Sequence, residues 1–115
     1  MRKLERQMNM AISNKADWAG PNTQVNYNSN TNCSQIFLHG HHIATFCHET
    51  RAVKINSCGY QTRTTKGRLN ALLEEVKYGC RVFQKNWDWF VSYNDQVASF
   101  WDGMILIDAD SLQIA

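Results

Sequence analysis

Apolar side chains return at helical spacing near the middle of the chain. Leu69, Leu72, Leu73 and Val76 sit at i, i+3, i+4 and i+7, which makes one stripe to face a core. The threonines before it predict a helix start near Thr64 or Thr65, and Gly79, just after Tyr78, suits a left-handed C-cap. A second helical stretch is predicted over residues 3–18. There Leu4, Met8, Ala11 and Ile12 share a side, Trp18 closes the stripe, and Gly20-Pro21 is the stop.

Everything else alternates with period two, the signature of half-buried strands. TQVNYN runs into an Asn/Ser/Thr turn cluster. SQIFLHG and HHIATFC are β-prone runs joined by a tight hairpin centred on His39-Gly40-His41, and AVKIN follows. After the central helix come CRVFQKN, WDWFVSYN, QVASFW and GMILID, with turn residues at 86–88 and 94–95. The tail DADSLQIA either frays or docks. The order is α, three or four β, α, three or four β, with connections short enough to favour antiparallel pairing. The expected fold class is α+β: a single domain over residues 1–115, with an antiparallel sheet of six to eight strands and both helices on one face.

Composition narrows the function classes. A chain of 115 residues with 43% apolar and 19% charged residues can bury one modest core. The net charge of +2 is too small to imply nucleic acid, so any basic footprint must be local. The start MRKLERQMNMAI holds no apolar h-region and no run reaches membrane-spanning length. The expectation is a cytoplasmic protein without a membrane partner, in which Cys33, Cys47, Cys58 and Cys80 stay as thiols.

Candidate chemistry is thin. Cys33, His39, His41, His42, Cys47 and His48 are all zinc-ligand types within sixteen positions. Yet they lack paired short spacings, and strand alternation throws neighbours to opposite faces. Cys47 or Cys58 near His42 or His48 shows no nucleophile signature, and Glu74-Glu75 point apart on a helix. Neither a P-loop nor a G-x-G-x-x-G motif occurs. The reading is a protein that is not an enzyme, with no cofactor and no assigned metal.

Two features point to binding instead. The predicted helix TRTTKGRLNALLEE carries its charges in reverse, with Arg63, Lys66 and Arg68 at the start and Glu74 and Glu75 toward the finish. A helix dipole disfavours that order. A cationic helix start with threonine hydroxyls suits an anionic partner, and close approach of that partner would explain Gly67. An acidic side chain from elsewhere, such as Asp88 or Glu49, would be the internal alternative. The second feature is the aromatic meander, where Trp87, Trp89 and Tyr93 share a strand face and Trp101 follows. Aromatic anchors are enriched at interfaces. The expected partner-binding set is therefore Arg63, Thr65, Lys66, Arg68, Trp87, Trp89, Tyr93 and Trp101.

The segments TTKGRLNALLEE, VFQKNWDWFVS and FWDGMILI, with the hairpin SQIFLHGHHIA before them, resemble small proteins encoded by tailed bacteriophages. The resemblance spans most of residues 3–106 and carries no catalytic signature. It implies the cytoplasm of an infected bacterial host and a host-takeover or counter-defence role. The expected function is a protein–protein interaction module that inhibits a host defence, of anti-CRISPR or anti-restriction type, or a nucleic-acid-processing complex. Direct nucleic-acid binding through the basic helix start and sheet aromatics is the alternative. A homodimer is compatible with the exposed strand edge.

Overall fold

The two tight hairpins are the clearest link from sequence to backbone. Strands β3 (Cys33–Leu38) and β4 (His41–Cys47) are closed by His39 and Gly40, both at positive φ (50° and 79°). This is the conformation that matches a two-residue turn to strand twist, and glycine adopts it without steric cost. Strands β6 (Cys80–Lys85) and β7 (Asp88–Tyr93) close in the same way through Asn86 and Trp87, at φ 51° and 71°. A computed structural model describes residues 1–107, so the tail expected to fray or dock lies outside the described residues.

The remaining elements are α1 (Lys3–Ser13), β1 (Trp18–Ala19), β2 (Thr23–Asn28), β5 (Val53–Ile55), α2 (Arg63–Val76), β8 (Gln96–Ser99) and β9 (Met104–Leu106). The architecture is α+β, with every strand pair antiparallel. The nine strands among the described residues divide into two sheets rather than one. Six form the order β1-β2-β3-β4-β5-β9, and β6-β7-β8 form a separate meander. The last strand therefore leaves the second sheet and returns to the first, pairing Met104 with Ile55 and Leu106 with Val53. Alternation along the chain marks strands but not which sheet each joins.

One core unites the elements. Met8 and Ile12 of α1, Leu69, Leu72 and Leu73 of α2, Val25, Ile36, Phe46 and Ile55 of the large sheet, and Val82, Trp89 and Val91 of the small sheet all lie in it. Helix α2 packs against α1, β4 and β6. A bulge between Ile36 and Phe37 on β3 and the facing residues of β4 turns both Ile43 and Ala44 inward.

Both helices begin or end differently from the spacing-based expectation. Helix α1 stops at Ser13, and Lys15 at φ 53° redirects the chain. Trp18 therefore lies in β1, paired with Val25, instead of closing the helical stripe. Helix α2 starts one residue earlier than predicted because Thr62 is its N-cap, accepting the Thr65 N–H at 3.1 Å. It ends at Val76, three residues before Gly79 at φ 92°.

Candidate docking surface

The reversed charges of α2 have two different fates. Arg68 is 4% exposed and points into the protein. Its Nη1 donates to Glu5 Oε2 at 3.0 Å, its Nε to Thr23 Oγ1 at 2.9 Å and its Nη2 to Asn22 Oδ1 at 3.4 Å. Glu5, also buried, uses Oε1 to accept the Arg2 N–H at the start of α1. The internal acid is therefore Glu5, not Asp88 or Glu49. Arg68 serves as a clamp between α1, α2 and the entry to β2, and its burial removes it from the contact set. Thr65, 1% exposed, is removed for the same reason: its hydroxyl lies 3.1 Å from that of Thr62. A Cβ at Gly67 would stand 3.5 Å from Glu5 Oε2, an ordinary contact, so space does not demand this glycine.

At the far end of α2 the missing basic residue arrives from another element. Arg51, in the turn after β4, donates from Nη2 to the Val76 carbonyl at 3.4 Å and lies over the Phe46 ring. That is the favourable sign for a helix carboxyl end.

The aromatics divide just as sharply. Trp89 is 4% exposed and packs edge-on against Phe100, with its Nε1 lacking a hydrogen-bond partner among the described residues. It is core, and burial excludes it from direct contact with a partner. Tyr93 is half-buried with its ring against Gly79. Trp101 is 48% exposed beside Gly103, just before β9. Trp87 is the outlier: 88% exposed at the tip of the β6–β7 hairpin, in a left-handed conformation. A bulky residue at positive φ is strained, and this turn type ordinarily takes glycine there.

Arg63, Lys66 and Arg81 line a surface groove of about 370 Å³ between α2 and β6, with Phe83 and Gln84. None of its lining residues is acidic. Lys66 Nζ reaches Gln84 Oε1 at 3.3 Å and lies 5.8 Å from the Trp89 ring centroid. The groove is held in place from below by Asn70, which pairs with both backbone groups of Val82. Its Nδ2 donates to the Val82 carbonyl at 2.9 Å and its Oδ1 accepts the Val82 N–H at 2.8 Å. The amide thus acts as a strand partner and protects the edge of β6. On the outer face of the small sheet, Phe83 and Phe90 stack at 5.5 Å, cross-strand partners at the groove's edge. Arg81 and Phe83 were absent from the expected set. Their period-two spacing with exposed Lys85 is the signal that could have found them.

The histidines do not converge. His41 stacks on Tyr60 at 4.5 Å, His42 Nε2 lies 2.7 Å from Thr45 Oγ1, and His48 Nε2 lies 2.8 Å from Ser34 Oγ. Burial, with Lys15 and Arg51 nearby, pushes the His48 pKa down. Among the described residues no three His, Cys, Asp or Glu side chains come together as a metal site would need. A cavity of about 370 Å³ opens beside His41, Tyr60 and the start of α2. Its Ser57 and Thr65 hydroxyls are already engaged by Asp102 and Thr62.

The profile of the Kyanoviridae Gp96 protein family matches residues 1–107, essentially the whole described chain. The chain belongs to this family. It is thus a tailed-phage protein. Comparison with curated proteins and with solved structures gave no match. The structure shows what the stretches with a phage resemblance do in this Gp96-family chain. In FWDGM, Asp102 accepts the Ser57 N–H and Oγ at 2.8 Å each and the Cys58 N–H at 3.0 Å, tying the loop before α2 to the turn before β9. In KGRLN, Arg68 is the buried clamp and Asn70 the strand-edge partner. These are folding roles; Arg63, Lys66, Arg81 and Trp87 remain at the surface, with Lys66 held to Gln84 and lying over the Trp89 ring. No helix among the described residues is long and apolar enough to cross a membrane.

Proposed function

We propose that this phage protein is a non-enzymatic interaction module that acts in the cytoplasm of the infected bacterial host. It docks on an acidic surface of a host protein or protein–nucleic acid complex and inhibits it, a defence complex of anti-CRISPR or anti-restriction type being the foremost candidate. The observation that carries the reading is Trp87. A strained, exposed tryptophan at a hairpin tip costs folding free energy and contributes no packing, which fits an anchor whose use lies in a partner's pocket. The groove of Arg63, Lys66 and Arg81, lined also by Phe83 and Gln84 of the strand that leads to Trp87, supplies charge suited to carboxylates on the partner's rim. The phage family adds the setting and is silent on the target.

Affinity capture from host lysate tests the reading, comparing the wild type with Trp87→Gly and with Arg63→Glu/Lys66→Glu/Arg81→Glu. A partner held by the wild type and lost by both variants supports it. The same partner retained by both variants refutes this surface. Direct nucleic-acid binding is the second reading, favoured by a groove with no acidic lining residue. It predicts binding to mixed oligonucleotides that weakens steeply with salt. Burial of Trp89 and mutual stacking of Phe83 with Phe90 leave fewer rings free for bases than the alternating pattern implied.

A further inference from the structure

Two thiols on β3 and β4 are not among the residues that line the groove. Cys33 and Cys47 are directly opposed across β3 and β4, and their sulfurs lie 2.8 Å apart. The neighbouring ladder bond runs from the His48 N–H to the Asn32 carbonyl at 3.0 Å, while the Cys47 N–H turns away to Ala52 at 3.0 Å. Cys33 and Cys47 are therefore a non-hydrogen-bonded pair, the cross-strand position with backbones closest, at about 4.5 Å between Cα atoms. That separation falls in the range of about 4.4–6.8 Å that a disulfide spans. Both side chains are half-exposed and lie on the face away from Ser34 and Phe46, so a small reagent can reach them.

We propose that Cys33 and Cys47 form a redox modification site, converted to a cross-strand disulfide by a low-molecular-weight disulfide such as oxidised glutathione. The Cys33 thiolate attacks one sulfur of the reagent, breaking its S–S bond and expelling one thiolate. The Cys47 thiolate then attacks Cys33 Sγ and expels the second. The protein gives up two protons and two electrons, and the reagent is reduced to two thiols. The order follows from the surroundings: burial first, and then the hydrogen bond with Cys33 that holds the Cys47 proton, push the Cys47 pKa up to about 11. Once Cys33 is in the mixed disulfide its thiol no longer opposes ionisation of Cys47, and the second attack becomes easier. Cys80 is buried, and Cys58 has no thiol partner, its sulfur donating to the His42 carbonyl at 3.1 Å.

The test is to treat the reduced full chain with oxidised glutathione, then count free thiols and weigh the intact protein. The expected product has lost two thiols and two hydrogens, retains no glutathione, and yields a linked 33–47 peptide. Its thermal midpoint rises by several degrees, because the link closes a loop between residues fourteen positions apart. Cys47→Ser is expected to stop at a mixed disulfide on Cys33, and Cys58→Ser to oxidise like the wild type. A wild type that keeps both thiols or retains glutathione overturns the proposal. So does loss of the disulfide in Cys58→Ser.

Discussion

Two regions of this protein use the same residue types in opposite ways. At the junction of α1 and α2, Arg68 is enclosed by Glu5, Thr23 and Asn22, and Trp89 of the small sheet is part of the core. On the outer side of α2 and at the β6–β7 tip, Arg63, Lys66 and Trp87 face solvent or line an open groove. The inner set has every reason to exist in the folded chain alone. The outer set has less: Lys66 reaches Gln84 and the Trp89 ring, but Arg63 has no ion pair among the described residues, and Trp87 carries backbone strain without burial. Residues that fold neither needs nor rewards are where function is to be sought.

The sharpest way to break the comparison is Arg68→Met. It leaves Glu5 buried without its partner and should destabilise the fold by ~3–5 kcal/mol, read from chemical denaturation. A loss below ~1 kcal/mol would mean that the junction is not the clamp described, since surface substitutions fall in that range. Trp87→Gly should act in the other direction. Relieving positive φ at an exposed turn is expected to stabilise by about 1 kcal/mol while abolishing partner capture, a trade expected of a contact residue. If capture survives, the strain has some other origin.

Gly67→Ala separates the two regions at one position. The space accepts a Cβ near Glu5, so helix propensity alone predicts a gain of up to about 1 kcal/mol in thermal or denaturant stability. If partner capture weakens in that variant, the glycine serves an approaching ligand instead. Smallest in stability terms is the charge reversal Arg63→Glu/Lys66→Glu. Each change should move folding by only about 0.5 kcal/mol, the helix dipole favouring Glu at this end while the Lys66 change also gives up the Gln84 contact. It should nonetheless slow association with an acidic partner and reduce its salt dependence, measured by surface binding kinetics.

The legible parts of the chain were those governed by local rules. Hairpin turns at His39-Gly40 and between β6 and β7, the leucine stripe of α2, and the α+β class follow from spacing and turn chemistry. The exposure of the candidate residues was only half legible, because the same cationic cluster supplied both the buried clamp and the surface cations. Arg63, Lys66 and Trp87 lie where the pattern put them, whereas Thr65, Arg68 and Trp89 are buried. Facing direction depends on a few degrees of helix phase and on the partner element, and neither is visible in a list of residue types.

By itself the sequence determined which elements form and where the two tight hairpins turn, since glycine placement, turn chemistry and side-chain period act over a few residues. Only the tertiary structure decided how α2 tolerates its reversed charges. Glu5 comes from α1 to neutralise Arg68, and Arg51 comes from the turn after β4 to cap the carboxyl end. It also split the strands into two sheets and returned β9 to the first. Those outcomes rest on contacts between residues far apart in sequence, where Coulomb pairing and burial outweigh the few tenths of a kcal/mol that a helix dipole sets locally.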